Sequence, residues 1–117
     1  MRESGILMPV ASLPGPFGIG TLGKGAYDFV DFLAHAGQRV WQILPLSPTG
    51  FGDSPYQSCS AFAGSPWFID FEPLRRRGLL KKQEYAGLSF GKTPRAVDYG
   101  AVRETHFAVL RKAFARF

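Results

Sequence analysis

Nine carboxylates, two histidines and one cysteine are the groups in this 117-residue sequence that could give up a proton, take one or attack a substrate. Asp28 and Asp31 fall on the polar side of an expected helix, Asp98 reads as a helix cap, and Glu72, Glu84 and Glu104 lie in a basic segment. Only Asp53 stands in a stretch whose composition marks it as a contact surface, Pro48-Thr49-Gly50-Phe51-Gly52-Asp53-Ser54-Pro55-Tyr56-Gln57. The stretch has too many turn formers for a helix, and a loop so rich in rings usually touches something. One carboxylate cannot be both nucleophile and proton donor. Asp53 is therefore expected to order the loop by accepting backbone N–H bonds, and the 117 residues to hold no catalytic acid of their own. No Cys/His arrangement surrounds Cys59, which reads as a small loop residue, and no metal-ligand spacing is present.

The elements that must position this loop follow from the patterns on either side. Gly5 to Val10 is a continuous apolar run, the pattern of a strand buried on both faces, which Pro9 keeps short. Ser12 to Gly20 is expected to be a rigid loop, with prolines fixing φ and Gly15, Gly18 and Gly20 taking conformations closed to other residues. Its prolines remove backbone donors and no lysine-serine pair follows, so it does not read as a phosphate cradle. A helix is expected over about Lys24 to Ala36. Ala26, Phe29, Val30 and Leu33 share one face, with Asp28, Asp31 and His35 opposite and His35 paired to Asp31 in solvent. Gly37 closes it.

Val40 to Leu46 then reads as a second strand, and strand–helix–strand with short connections predicts a parallel βαβ unit. In such sheets the working loops lie beyond the carboxyl ends of the strands, where both Ser12–Gly20 and Ser47–Pro66 fall. Trp67 to Phe71 is expected to be extended, Glu72 to Gly78 a turn or two of helix, and Gln83 to Ala86 a short helix. Asp98 caps a last helix from about Tyr99 to Phe117, with Val102, His106, Val109, Leu110, Ala113 and Phe117 on its apolar face. His106 reads as a hydrogen-bonded core histidine. Two strands do not close a parallel sheet, and an α/β barrel takes roughly 200 residues or more. The sequence is thus expected to be the start of a larger protein.

Charge divides the chain. Residues 1–71 hold three bases and five acids, residues 72–117 eleven bases and four acids. Arg75-Arg76-Arg77 and Lys81-Lys82 invite a nucleic-acid reading, but no aromatic residues interleave with them, and a solvated helix end accounts for them. No secretory signal follows Met1 and no run approaches the roughly 18 apolar residues of a membrane span, so a cytoplasmic location is the default expectation.

Four motifs occur in order: Ser12-Leu13-Pro14-Gly15-Pro16-Phe17-Gly18-Ile19-Gly20, Trp41-Gln42-Ile43-Leu44-Pro45-Leu46, Gly52-Asp53-Ser54-Pro55-Tyr56-Gln57-Ser58 and Ser60-Ala61-Phe62-Ala63-Gly64. With Val97-Asp98-Tyr99-Gly100 they resemble the N-terminal segment of the 4-α-glucanotransferases, also called amylomaltases or disproportionating enzymes (glycoside hydrolase family 77). The likeness runs from about Ser4 to Phe117. It implies the first βαβ part of a (β/α)8 barrel with a long substrate loop, residues 1–117 being one part of the catalytic domain. It implies retaining transfer of α-1,4-glucan segments between maltooligosaccharides, with glucose or a glucan as acceptor and no organic cofactor. The nucleophilic aspartate, the acid/base glutamate and a second aspartate are implied on later barrel strands, beyond Phe117.

The loop suits sugar. Glucose offers apolar C–H faces and hydroxyl edges, and so needs flat rings beside fixed hydrogen-bonding groups. Phe51, Tyr56, Phe62 and Trp67 could supply the rings, and Asp53, Ser54 and Gln57 the polar groups. Carried over by the resemblance, Tyr56 contacts a glucose near the cleavage point with Ser54 beside it. The other reading of these rings is that they pack the loop onto the barrel rim, and this is the expectation for Phe62. Some family members form an outer glucan groove from tyrosines at the positions of Phe51 and Arg103. Here Phe51 keeps only the ring and Arg103 has none, which argues against such a groove. A non-catalytic carbohydrate-binding module is the alternative reading.

Overall fold

The structure, a computed structural model, describes residues 1–117. Two short parallel strands, β1 (Gly5–Leu7) and β2 (Val40–Gln42), pair in the register Gly5–Val40, Ile6–Trp41 and Leu7–Gln42. The Met8 N–H makes the last bond of the ladder, 3.0 Å to Gln42 O, and Pro9 ends it because it has no donor to offer. Helix α1 (Lys24–His35) is the crossover between the strands, as the βαβ pattern predicts. It ends in a Schellman motif, with Gly37 N–H donating to Ala34 O and Gln38 N–H to Leu33 O. His35 is in solvent as expected, but its ring meets the Asp31 carbonyl at 2.7 Å and not the carboxylate.

The strands are not buried on both faces. Ile6, Leu7 and Val40 are exposed, Leu7 to 54%, because each strand has one neighbour and a single helix covers them. Val30 is exposed as well. Ala26 and Leu33 are buried, and Phe29 sets its ring edge-on to Trp41 at 5.1 Å. Of the three glycines in the Ser12–Gly20 loop, only Gly18 has a left-handed φ, +74°. A Cβ there would strike the Phe90 carbonyl.

The largest part of the core lies away from the sheet. After β2 and its long loop, Pro66–Phe68 forms a single 3-10 turn capped by Ser65, where an extended run was expected. Proline at its first position and the Ser65 hydroxyl together favour a helical start over a strand. Helix α2 (Phe71–Arg76) follows, with Asp70 Oδ1 accepting the Glu72 N–H at 2.9 Å. A 3-10 turn over Lys82–Glu84 stands where a helix to Ala86 was expected. Helix α3 (Tyr99–Arg116) starts at Asp98, which accepts the Ala101 N–H at 3.1 Å. Its buried face is Val102, His106, Val109 and Ala113, while Phe117 is exposed, contrary to its place in the periodic pattern. Phe17, Phe71, Leu80, Tyr85, Phe90, Val109 and Ala113 form one continuous cluster that joins the first loop to α2 and α3. No helix is long and apolar enough to cross a membrane.

Candidate functional site

The loop after β2 leaves and returns at one point. Ser65 N–H donates to Leu46 O at 2.6 Å, and residues 47–64 form everything between. Within it the chain turns back twice. Asp53 N–H bonds Gly50 O at 3.2 Å, and Gln57 N–H bonds Ser54 O at 3.1 Å, while Gly50 N–H reaches Gln57 O at 3.0 Å to tie the two turns together. Gly52, at φ +84°, occupies the third position of the first turn, where a type II turn needs a residue without a Cβ. Serine side chains complete the ordering. Ser54 Oγ accepts from Tyr56 N–H, Ser58 Oγ bridges to Ser60, and Ser60 Oγ accepts from the N–H groups of Phe62 and Ala63.

With the backbone satisfied locally, the rings are free to point outward. Phe51 and Phe62 are fully exposed and Tyr56 is 72% exposed. Gln57 is exposed beside Tyr56, and Ser54 is half-buried with its hydroxyl proton still available to donate. Asp53 does not accept backbone N–H bonds. Its Oδ1 takes a 2.6 Å bond from Arg103 Nη2 on α3, and its own φ is +56°. Tyr99, one helical turn before Arg103, has its phenol pushed up, first by burial and then by the Asp53 charge. The tip of the loop therefore lies against the first turns of α3.

The other acids that have partners are structural. Glu72 is held down to about 2, chiefly by the Tyr85 hydroxyl, with Arg75 and Lys82 adding to it against the opposing effect of burial. Burial and that same bond push the Tyr85 phenol up to about 12. Glu84 is held at about 2 by a two-pronged bond from Arg116 and by the Lys81 N–H. Asp70 accepts the Thr21 hydroxyl at 2.6 Å and caps α2. A general acid working near neutral pH needs a carboxyl held above its usual range, and Glu72 and Glu84 are held below it. Three His, Cys, Asp or Glu side chains nowhere come together to hold a metal ion.

Against known proteins, a family model described as 4-alpha-glucanotransferase matches residues 8–117. The chain belongs to the 4-alpha-glucanotransferase family. It is 52% identical to a 4-alpha-glucanotransferase of Clostridium butyricum over 94% of its own length and 23% of that protein's. With the Thermus thermophilus enzyme of the same name it shares 49% identity over 99% of its length and 22% of the relative's. A solved structure, amylomaltase from Streptococcus agalactiae in complex with acarbose, superposes with a TM-score of 0.97 at 52% identity. That match covers all of this chain and 24% of the other. The chain thus spans about a quarter of the length of the 4-alpha-glucanotransferases it matches.

Two of the rings that the sequence offered for sugar stacking part company here. Trp67 is buried, edge-on to Phe107 at 4.7 Å and to His106 at 6.3 Å, and belongs to the core. Phe62 is fully exposed within these 117 residues. Ser54, Tyr56, Gln57, Asp53 and Phe51 do occupy one ordered turn pair, with Asp53 turned toward α3. His106 is the expected core histidine: fully buried, its Nε2–H donates to Phe17 O at 3.0 Å while Nδ1 has no partner. The pairing of Arg103 and the capping by Asp70 are the polar roles that the sequence did not show. Asp70 stands just before a helix, a recognisable cap signal. The Asp53–Arg103 pair joins residues far apart in the chain and leaves no local trace.

Proposed function

We propose that this chain is the N-terminal part of a (β/α)8-barrel enzyme that moves α-1,4-glucan segments between maltooligosaccharides. Glucose or a glucan end is the acceptor. Residues 1–117 form one portion of its catalytic domain and contribute a glucose-contacting rim: Tyr56 as the stacking ring, Ser54 and Gln57 as hydroxyl partners, Asp53 as the brace of the turn and Phe51 as an outer ring. The nucleophile and the acid/base come from the rest of the enzyme. Retaining transfer needs two carboxyl groups about 5–5.5 Å apart, and each acid of this chain is capping, ion-paired or solitary on the surface. No organic cofactor or nucleic acid takes part, and the enzyme works in the cytoplasm.

The observation that carries this reading is a ring exposed on an ordered support. Tyr56 presents most of its surface to solvent on a turn whose backbone bonds are closed, so it loses little freedom when a sugar stacks on it. The acarbose bound by the Streptococcus agalactiae relative is in keeping with a glucan ligand. A self-standing binding module has nothing in its favour. A folded monomer of 12.9 kDa exposes ~6,300 Å², whereas this chain exposes 8136 Å², leaving apolar surface for further elements to cover.

The test is Tyr56→Ala in the full-length enzyme. The kcat/KM for maltotriose should fall about five- to tenfold, the scale of ~1–1.4 kcal/mol for one lost aromatic contact. The thermal midpoint should not move, since the ring packs against little. An unchanged kcat/KM would remove Tyr56 from the substrate site.

A further inference from the structure

Of all the hydrogen bonds made by residues 47–64, one alone leaves the segment: Arg103 Nη2 to Asp53 Oδ1 at 2.6 Å, spanning 50 residues of sequence. The others stay inside the loop, and the Leu46–Ser65 bond fixes only its base. Without the Arg103 bond, hydrogen bonds tie the loop to the rest of the chain only at that base. Asp53 is also the one residue other than glycine with a left-handed φ, +56°, directly after Gly52 at +84°. Such a conformation is uncommon for a residue bearing a Cβ, and aspartate is among the few that adopt it; here the ion pair fixes its side chain as well.

We propose that Arg103 is a positioning residue for the substrate loop, anchoring the turns from Gly50 to Gln57 to α3 through Asp53. This rests on the reading of that loop as a glucose-contacting rim. Arg103 itself touches no sugar. Asp53 is followed directly by Ser54, whose Oγ holds the Tyr56 N–H, so the orientation of Asp53 is passed to both proposed sugar contacts. Small misplacements of binding groups weaken a site disproportionately. The guanidinium suits the task because its donors are fixed in a plane and it stays charged at every working pH. Both partners are partly open to solvent, 48% for the Arg103 side chain and 27% for that of Asp53, which sets a modest scale for the effect.

In the full-length enzyme, Arg103→Ala should raise KM for maltotriose about two- to fivefold with kcat held within about twofold. Arg103→Lys should recover part of the loss, and Asp53→Asn should match Arg103→Ala. The double variant should be no worse than either single one, since both remove the same contact. A merely structural arginine would move the thermal midpoint and leave KM alone. Wild-type KM in Arg103→Ala, or additive effects in the double variant, would overturn the proposal. Tyr56→Ala measured in parallel separates the two readings. If it loses activity while Arg103→Ala does not, the anchor fails and the rim stands; if Tyr56→Ala is silent, the rim itself is wrong.

Discussion

Phe62 and Phe71 are the same residue a short stretch of chain apart, yet one stands wholly in solvent and the other is sealed inside. Phe71 opens α2, and its ring meets Phe17 at 4.6 Å, His106 at 4.8 Å, Tyr85 at 5.5 Å and Phe90 at 5.9 Å. Phe62 sits on a turn whose N–H groups are taken up by Ser60. What separates the two rings is how the backbone beneath them is satisfied. On the helical side, packing of rings between elements holds the chain. In the loop, serine hydroxyls and short turns hold it, and the rings are left over. A loop ordered by its own polar groups can offer Phe51, Tyr56 and Phe62 to a ligand without needing them for its own stability.

The contrast is broken most directly by truncation. Phe71→Ala should destabilise the protein by about 3–5 kcal/mol, while Phe62→Ala should stay within about 0.5 kcal/mol. Urea midpoints of the two variants check this, and comparable shifts would mean that the loop rings also carry the fold.

Acid titration sharpens the same contrast on the buried side. Burial holds the His106 imidazole below its ordinary value of 6.5, with the bond to Phe17 O and the Asp70 charge partly opposing it. The unfolded state therefore takes up a proton that the folded state resists. This contribution to stability is complete above about pH 6.5 and drains away as the pH falls from there toward the lowered folded value. The thermal midpoint should drop over that window in the wild type and less in His106→Gln. A midpoint with the same slope in both would place the titration elsewhere.

A modest effect belongs to Glu72. Its carboxylate is held at about 2 against an ordinary 4.5, so its stabilisation is present above pH 4.5 and lost as the pH falls toward 2. Its side chain is 35% exposed and screened, so removing it should cost no more than about 1 kcal/mol. Glu72→Gln should flatten only the acid limb of the stability curve.

What the sequence made legible was written in local signals. The period of α1, its closing Gly37, the Asp98 cap of α3 and the apolar face that carries His106 all depend on neighbours within a turn or two. The composition of the Gly50–Gln57 turns was equally plain. The strands misled because a continuous apolar run reports burial in a complete sheet, whereas two strands here have one partner each. Trp67 misled because its ring type is shared by sugar platforms and cores, and only its contact with α3 decides between them. Asp53 misled for the same reason, its partner lying at Arg103. Residue type gives the vocabulary of a site, and long-range contacts decide which member speaks to a ligand and which to the fold.

The single bond between Ser65 and Leu46 has a further consequence. Because the loop departs and rejoins at adjoining points, its length can change without altering the path of the chain beneath. Residues 47–64 are in that sense an exchangeable cassette. Insertion or deletion on either side of the Asp53 anchor would leave the helices that carry the loop in place.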